Sequence, residues 1–370
     1  MSKHDNNIVT YAAPHTIKKF ELIEAYVDRW SRKILEFDKS KGVIYIDCMS
    51  NSGMYFDDNG NPIEGTAIRV AKKLNEIILK YPTKKAVLIF NDISKSRIDF
   101  LKKEIEKRDF TNIEVLFYNE DSSQFLNGLA LDSWNDFNTL LIYDPYKAEI
   151  DWQAISRFLN VWGEVIINHM VSDTIRGASQ AKKEDVKRRY EETYQKDIDA
   201  IIEMGKDKEQ LEKVIKGIID RKSDKKHHVA SFPFFTRTNG LLYNLIFCST
   251  HIAGLILYKE IVWKTFGDKS SLKNIRDDSI NQPCFDFGVE FELEKNPDTD
   301  CYTISDIAKY IYETFNTKGN VSLKEIYAML DEHPIFPTEG YKNKIKAELK
   351  KLGVQISNSI VSFPINKGEV

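Results

Sequence analysis

Apolar positions along this chain follow two alternating styles. From Thr16 to Lys33 the spacing of Phe20, Ile23, Tyr26, Val27, Trp30 and Ile34 is helical, and Thr16 stands where an N-cap belongs. After this opening amphipathic helix come short unbroken apolar runs at 43–47 (VIYID), 86–91 (AVLIFN), 113–118 (IEVLFY), 139–144 (TLLIYD) and 164–168 (EVIIN). Helical patterning fills the intervals near 65–80, 95–107, 122–131 and 152–160. Apolar runs without polar alternation need cover on both faces, so the pattern predicts an α/β fold: a Rossmann-like, doubly wound parallel sheet. Ligands of such sheets sit in the crevice at the carboxyl ends of the strands. The residues that end each run are therefore the ones to question.

The pattern changes twice further on. Residues 176–228 are charged and helical, with 15 Lys+Arg, 12 Asp+Glu and apolar positions at Ile198, Ile201, Ile202, Leu211, Val214, Ile215 and Ile218, which predicts an inserted helical hairpin. The sheet resumes with 241–249 (LLYNLIFCS) and a helix through Trp263. A segment rich in Asp, Ser and Asn then separates residues 1–267 from a last domain at 301–370, with 268–300 as linker. That last domain reads as helices at 303–316, 322–332 (opened by Ser322 and Glu325) and 338–352, then short strands at 354–356 and 360–363. Three helices and a hairpin predict a winged helix. Its third helix carries Lys342, Lys344, Lys346, Lys350 and Lys351 against Glu339 and Glu348, which suits phosphate contacts or an exposed solvated face.

Composition narrows the function classes. With 370 residues, 42% hydrophobic and 29% charged, the chain is long enough for two or three cores and is not disordered. A net charge of −3 excludes a globally basic nucleic-acid coat, so any such affinity needs local patches, for which Lys187-Arg188-Arg189 and Lys225-Lys226-His227-His228 are further candidates. Cys48, Cys248, Cys284 and Cys301 lack metal-ligand spacing and read as reduced thiols. The N-terminal MSKHDNN lacks a signal-peptide layout, and the apolar stretch 241–258 is interrupted by polar residues, so a cytoplasmic protein without a membrane span is expected.

Chemistry concentrates at the strand ends. The first run ends in Asp47, followed by CMSNSG with a tight turn at Gly53, then Glu64-Gly65-Thr66 opening a helix; the second is followed by Asp92 and the third by Asn119-Glu120-Asp121. Acids at successive strand ends around a glycine-bearing loop are the layout of class I S-adenosylmethionine (SAM) methyltransferases. There Asp47 and Gly53 would hold the methionine end, Asp92 the ribose hydroxyls and Asp121 the adenine. The fourth run ends Asp144-Pro145-Tyr146, similar to the acid-proline-aromatic turn with which amino-methyltransferases hold a target amine, although the same tripeptide also simply ends strands. Asn168, His169 and Asp173 follow the fifth run, with His169 as a candidate proton acceptor. A GxGxxG fingerprint and a P-loop are absent, which argues against a dehydrogenase and a P-loop nucleotidase.

Together these residues resemble the three-Cys-motif partner proteins (TcmP). The resemblance runs through Thr16, Lys19, Leu22 and Tyr26, then the segment VIYIDCMSNSGMYFDDNGNPIEGTAIRVAKKL, and it matches Asp47, Gly53, Tyr55, Glu64, Gly65, Asp92, Asp144, Pro145 and Asn168 by position. This chain departs from the family at Met49-Ser50-Asn51-Ser52-Gly53, which has one glycine fewer than the usual Phe-Ala-Gly-Pro-Gly. It also departs at Thr66, and at Tyr146-Lys147 where Phe-Gly is usual. The resemblance implies a methyltransferase-like fold, genomic pairing with a radical-SAM protein that carries the three cysteines, and a substrate that the family leaves open. The reading is a SAM-dependent methyltransferase acting on nucleic acid, with Asp144, Pro145 and Tyr146 at the acceptor. The alternative is a non-catalytic scaffold partner whose altered loop 48–53 no longer binds SAM.

Overall fold

The computed structural model describes residues 8–205, 208–273 and 301–364. Its centre is a seven-stranded sheet: β1 (Gly42–Asp47), β2 (Lys85–Asn91), β3 (Glu114–Tyr118), β4 (Phe137–Tyr143), β5 (Gly163–His169), β6 (His228–Phe235) and β7 (Leu241–Ser249), in the order β3-β2-β1-β4-β5-β7-β6. The first five strands are parallel, and β7 runs antiparallel to both β5 and β6. The topological switch point, where ligands of open α/β sheets sit, lies between β1 and β4.

Strand periodicity decides which residues meet. Val43 and Tyr45 of β1, Leu140 and Ile142 of β4 and Ile166 of β5 pack into one core, while Ile44, Ile46, Leu141, Tyr143, Val165 and Ile167 pack into the other. The first core is closed by α1 (Pro14–Leu35), α2 (Thr66–Ile78), α3 (Lys95–Glu106) and α10 (Ile252–Thr265). The second is closed by α4 (Ser122–Gly128), α5 (Trp152–Leu159) and the insertion.

Three local expectations change. The opening helix begins at Pro14 with Ala13 as N-cap, because proline already supplies a helical φ at the first turn. The insertion is not a hairpin but four short helices, α6 (Val171–Gly177), α7 (Glu184–Tyr194), α8 (Ile198–Met204) and α9 (Lys208–Lys222), which bury Tyr194, Ile201, Leu211, Ile215 and Ile218. The strand β6 follows the basic run Lys225-Lys226-His227 and carries Pro233, both of which mask it in the sequence. The sheet tolerates that proline because β6 is an edge strand.

The C-terminal unit contains α11 (Ile304–Phe315), α12 (Leu323–Glu332) and α13 (Lys342–Lys351) beside a three-stranded antiparallel sheet of Asn320–Ser322, Ile360–Ser362 and Gln355–Ser357. The first of these strands is new, and α13 begins four residues later than the spacing suggests because Thr338–Tyr341 form a turn. Ser322 caps α12 by accepting from Glu325 N at 3.1 Å; the reciprocal half of the box is missing because Glu325 pairs with Lys318. The unit shares the first core with the sheet domain. Lys259 of α10 donates to the carbonyls of Leu330, Asp331 and His333 at 2.7, 2.9 and 2.6 Å, covering the C-terminal end of α12, and Trp263 Nε1 donates to Ile335 O at 3.0 Å. Residues 274–300, with Cys284 and most of the linker, lie outside the described residues; Ser270 N donates to Tyr302 O at 2.9 Å. Among the described residues, no helix is long and apolar enough to cross a membrane, and no His/Cys/Asp/Glu cluster suits a metal ion.

Candidate functional site

Register brings the strand-end acids of β1 and β4 together. Asp47 pairs with Ile142 across β1 and β4, and Tyr143 pairs with Ile167 across β4 and β5, which sets Asp144 beside Asn168. Period-2 alternation then turns Asp47, Asp144 and Asn168 toward the α1 face. There Lys19 Nζ reaches Asp144 Oδ2 at 2.5 Å, while Asn168 Nδ2 donates to Asp144 Oδ1 at 2.5 Å. Tyr243 lies under the ammonium of Lys19, 5.3 Å from Nζ to the ring centre. Asp144 thus has both oxygens held by side chains from α1 and β5. Lys19 belongs to the family-like N-terminal pattern, and its link to Asp144 across 125 residues had no local signal in the sequence.

Asp47 is treated differently. It is buried, and its one hydrogen bond among the described residues comes from Met49 N at 3.2 Å. Burial, reinforced by the negative charge of Asp144, pushes its pKa up to about 7. The Asn168 Oδ1 acceptor nearby is also buried without a partner. The corner therefore holds two carboxyl groups, one ammonium and an idle acceptor, an incomplete set in a low-dielectric place.

The loop after β1 closes over the next acid. Asn51, in the left-handed region at φ 59°, donates its N–H to Asp92 Oδ2 at 3.0 Å, and Ser94 N donates to Asp92 Oδ1 at 2.8 Å. Asp92 is only 3% exposed, so its carboxylate faces the loop and not open space. Both carboxylate oxygens of Asp92 are thus held by backbone N–H groups. Gly53 also has an internal reason to be glycine: its φ is +72°, and a Cβ there would lie 2.5 Å from Leu101 Cδ1. That side of the turn meets α3 and α2. Gly65 behaves alike, since the Tyr55 ring occupies the space its Cβ would take, and Glu64 is absorbed in ion pairs with Lys72 and Arg108.

The remaining candidates line an open cleft of about 880 Å³ between the strand ends and the insertion. Asp121, Pro145 and Tyr146 meet there with Met49 and Ile93, opposite Arg189 and Thr193. Asp121 is the N-cap of α4, accepting from Ser123 N at 2.9 Å and Gln124 N at 3.4 Å through Oδ1. Tyr146 is 64% exposed, and its hydroxyl accepts from Asn51 Nδ2 at 2.7 Å and from Arg97 at 3.2 Å, so its ring is held in place between loop and helix. His169 faces the other core, bonded to Tyr194 at 2.6 Å, and burial lowers its pKa to about 4. Its place in the insertion core removes it from the acid cluster. Asp173 accepts from Ala148 N at 2.9 Å, and Asn119 bonds the carbonyls of Asp92 and Ile93, both structural uses.

No family model matches this chain, and no curated protein matches it either. Among solved structures, protein LPL1258 from Legionella pneumophila str. Philadelphia 1 is 13% identical with a TM-score of 0.41, covering 67% of this chain and 91% of its own. WbdD is 14% identical at a TM-score of 0.37, covering 63% of this chain and 40% of its own, so the match spans two fifths of that protein. A SAM-dependent methyltransferase from Agrobacterium tumefaciens is 9% identical at 0.32, covering 64% of this chain and 62% of its own. Likenesses this distant assign neither ligand nor activity.

Proposed function

We propose that the protein is a class I methyltransferase-like protein that binds SAM at the β1–β4 switch point and acts on nucleic acid, in partnership with a radical-SAM three-Cys-motif protein. The observation that carries this reading is the meeting of Asp47, Asp144, Asn168 and Lys19 at the carboxyl ends of adjacent parallel strands. A sheet whose reversed last strand slots between the fifth and sixth accords with the methyltransferase-like resemblance.

The residues suit the cofactor at both ends of the site. Asp47 lacks a cation, and the ammonium of a bound amino-acid moiety would supply one. Ile93, exposed at the cleft with Met49 and Asp121 beside it, offers an apolar wall and a carboxylate acceptor to an adenine. Asp92 would take the ribose hydroxyls only by giving up its bond from Asn51 N. Bound there, SAM supplies an already activated methyl group. The chain's own task is alignment: Lys19 and Asn168 fix the Asp144 carboxylate to receive an amine, and Asn51 and Arg97 fix the Tyr146 ring to stack against a base.

The order helix, strand, helix, helix, strand, strand in the C-terminal unit supports a winged helix. In α13, Lys342, Lys344 and Lys351 pair with Glu339, Asp268 and Glu348, while Lys346 and Lys350 have no ion pair among the described residues and are the candidates for phosphate. The sealed Asp92 favours a second reading, a non-catalytic scaffold for the radical-SAM protein. Labelled-methyl incorporation from SAM into bulk RNA separates them. Asp144→Ala should remove incorporation, and full activity in that variant would take Asp144 out of the site.

A further inference from the structure

We propose that a second cavity, at the opposite end of the strands from the strand-end site, binds a small organic ammonium ion. It measures about 330 Å³ and lies between α1, the start of β5 and the start of α10. Its walls include Trp30, Ile34, Phe37, Trp162 and Leu257, and Glu164 lies among them. Glu164 and Asn168 share one face of β5 but stand about 13 Å apart along the strand at ~3.3 Å per residue, so this place is separate from the acid cluster.

The carboxyl group of Glu164 is the reason to expect a cation. It is buried, with 7% of the residue exposed, accepts from the Tyr26 hydroxyl through Oε2 and is also hydrogen-bonded by Ser249. It has no ion pair among the described residues. Lys33 lines the same cavity without reaching pairing distance, and the other polar residues there are Asn138, Ser249, Thr250 and His251, which caps α10 through Nδ1. Burial pushes the Glu164 pKa up to about 7, against the hydrogen bonds from Tyr26 and Ser249 and the charge of Lys33. Its second oxygen approaches α10 at Gly254, where a Cβ would stand 2.4 Å from Oε1 and 2.7 Å from Ser249 Oγ. A larger residue there would displace the acid.

Aromatic walls and a buried acid are complementary to one ligand class. Trp30, Trp162 and Phe37 make the lining aromatic, with Phe37 and Trp162 edge-to-face at 6.1 Å, a surrounding that suits a cation, and Glu164 offers the charge. A neutral apolar ligand would leave the acid uncompensated, and an anion would oppose it. The volume is at the small end of ligand pockets, which suits a fragment-sized amine.

Benzylammonium and benzyl alcohol are matched probes, titrated into the full chain while the indole N–H resonances of Trp30 and Trp162 are followed by NMR at pH 8. Benzylammonium should shift both resonances with at least tenfold tighter affinity than the alcohol. Glu164→Gln should erase that preference while keeping the alcohol's weaker binding. The wild-type ratio stands without any variant, so misfolding of Glu164→Gln would not shelter the proposal. Equal affinity for the two probes, or no movement of either indole at millimolar probe, would overturn it.

Discussion

Lys259 and Asp47 are both ionisable groups taken out of water, and the chain completes one and leaves the other unfinished. Lys259 is fully buried on α10, and burial pulls its pKa toward about 7. The carbonyls of Leu330, Asp331 and His333 use all three ammonium protons, and the negative charges of Asp331 and Glu332 oppose that shift. Asp47 has a 3.2 Å bond from Met49 N, while the nearest cation, Lys19, is given to Asp144. A buried charge with its bonds completed inside the chain fastens one part of the fold to another. A buried charge left short of partners costs stability until a partner is supplied.

The comparison can be broken at either end, and the largest effect lies at the completed end. Lys259→Met orphans three carbonyls at the end of α12 and should cost about 3 kcal/mol or more in urea denaturation, since each buried acceptor left unsatisfied costs about 1–3 kcal/mol. A loss under about 1 kcal/mol would mean that Lys259 does not fasten the C-terminal unit, and the contrast would fail.

At the unfinished end the sign reverses. Asp47 titrates near 7 when folded against 3.8 as its ordinary value, so the folded state holds the extra proton between those limits. Stability therefore falls as pH rises from about 4 to about 7, and the full cost remains above that. Asp47→Asn removes the cost: it should stabilise the protein by about 1–3 kcal/mol at pH 8 and change little at pH 4, read from thermal or urea unfolding. Destabilisation at pH 8 would show that Asp47 is already satisfied.

The smallest effect sharpens the account at α13. Lys346→Glu with Lys350→Glu should shift stability by no more than about 0.5 kcal/mol, since both side chains lack an ion pair among the described residues. The same change should weaken RNA binding and flatten its salt dependence by about 0.7–0.9 log units for every phosphate left unneutralised, measured by fluorescence anisotropy. Unchanged RNA affinity would assign the unit to protein contacts.

Much of this architecture was legible in the chain because buried parallel strands write themselves as unbroken apolar runs: 43–47, 86–91, 113–118, 139–144 and 164–168 all became strands, and their ends named Asp47, Asp144 and Asn168. What stayed hidden is non-local. Lys19 joins Asp144 only through the packing of α1 on the sheet, and the bond from Asn51 N to Asp92 depends on a left-handed turn that a non-glycine residue adopts. Asp121 was visible as an acid at a strand end, yet the same position is also a helix N-cap, and spacing alone cannot separate those uses. The strand Asn320–Ser322 was lost for a related reason, its last residue doubling as the cap of α12.

Calorimetric titration of SAM into the wild-type chain and into Asp47→Asn tests the central claim most directly. The account predicts measurable binding to the wild type, with a proton released near pH 7 as a ligand ammonium draws the charge onto Asp47, and a marked loss of affinity together with that proton release in the variant. No heat at millimolar SAM, or equal affinity and equal proton release in both proteins, would contradict it.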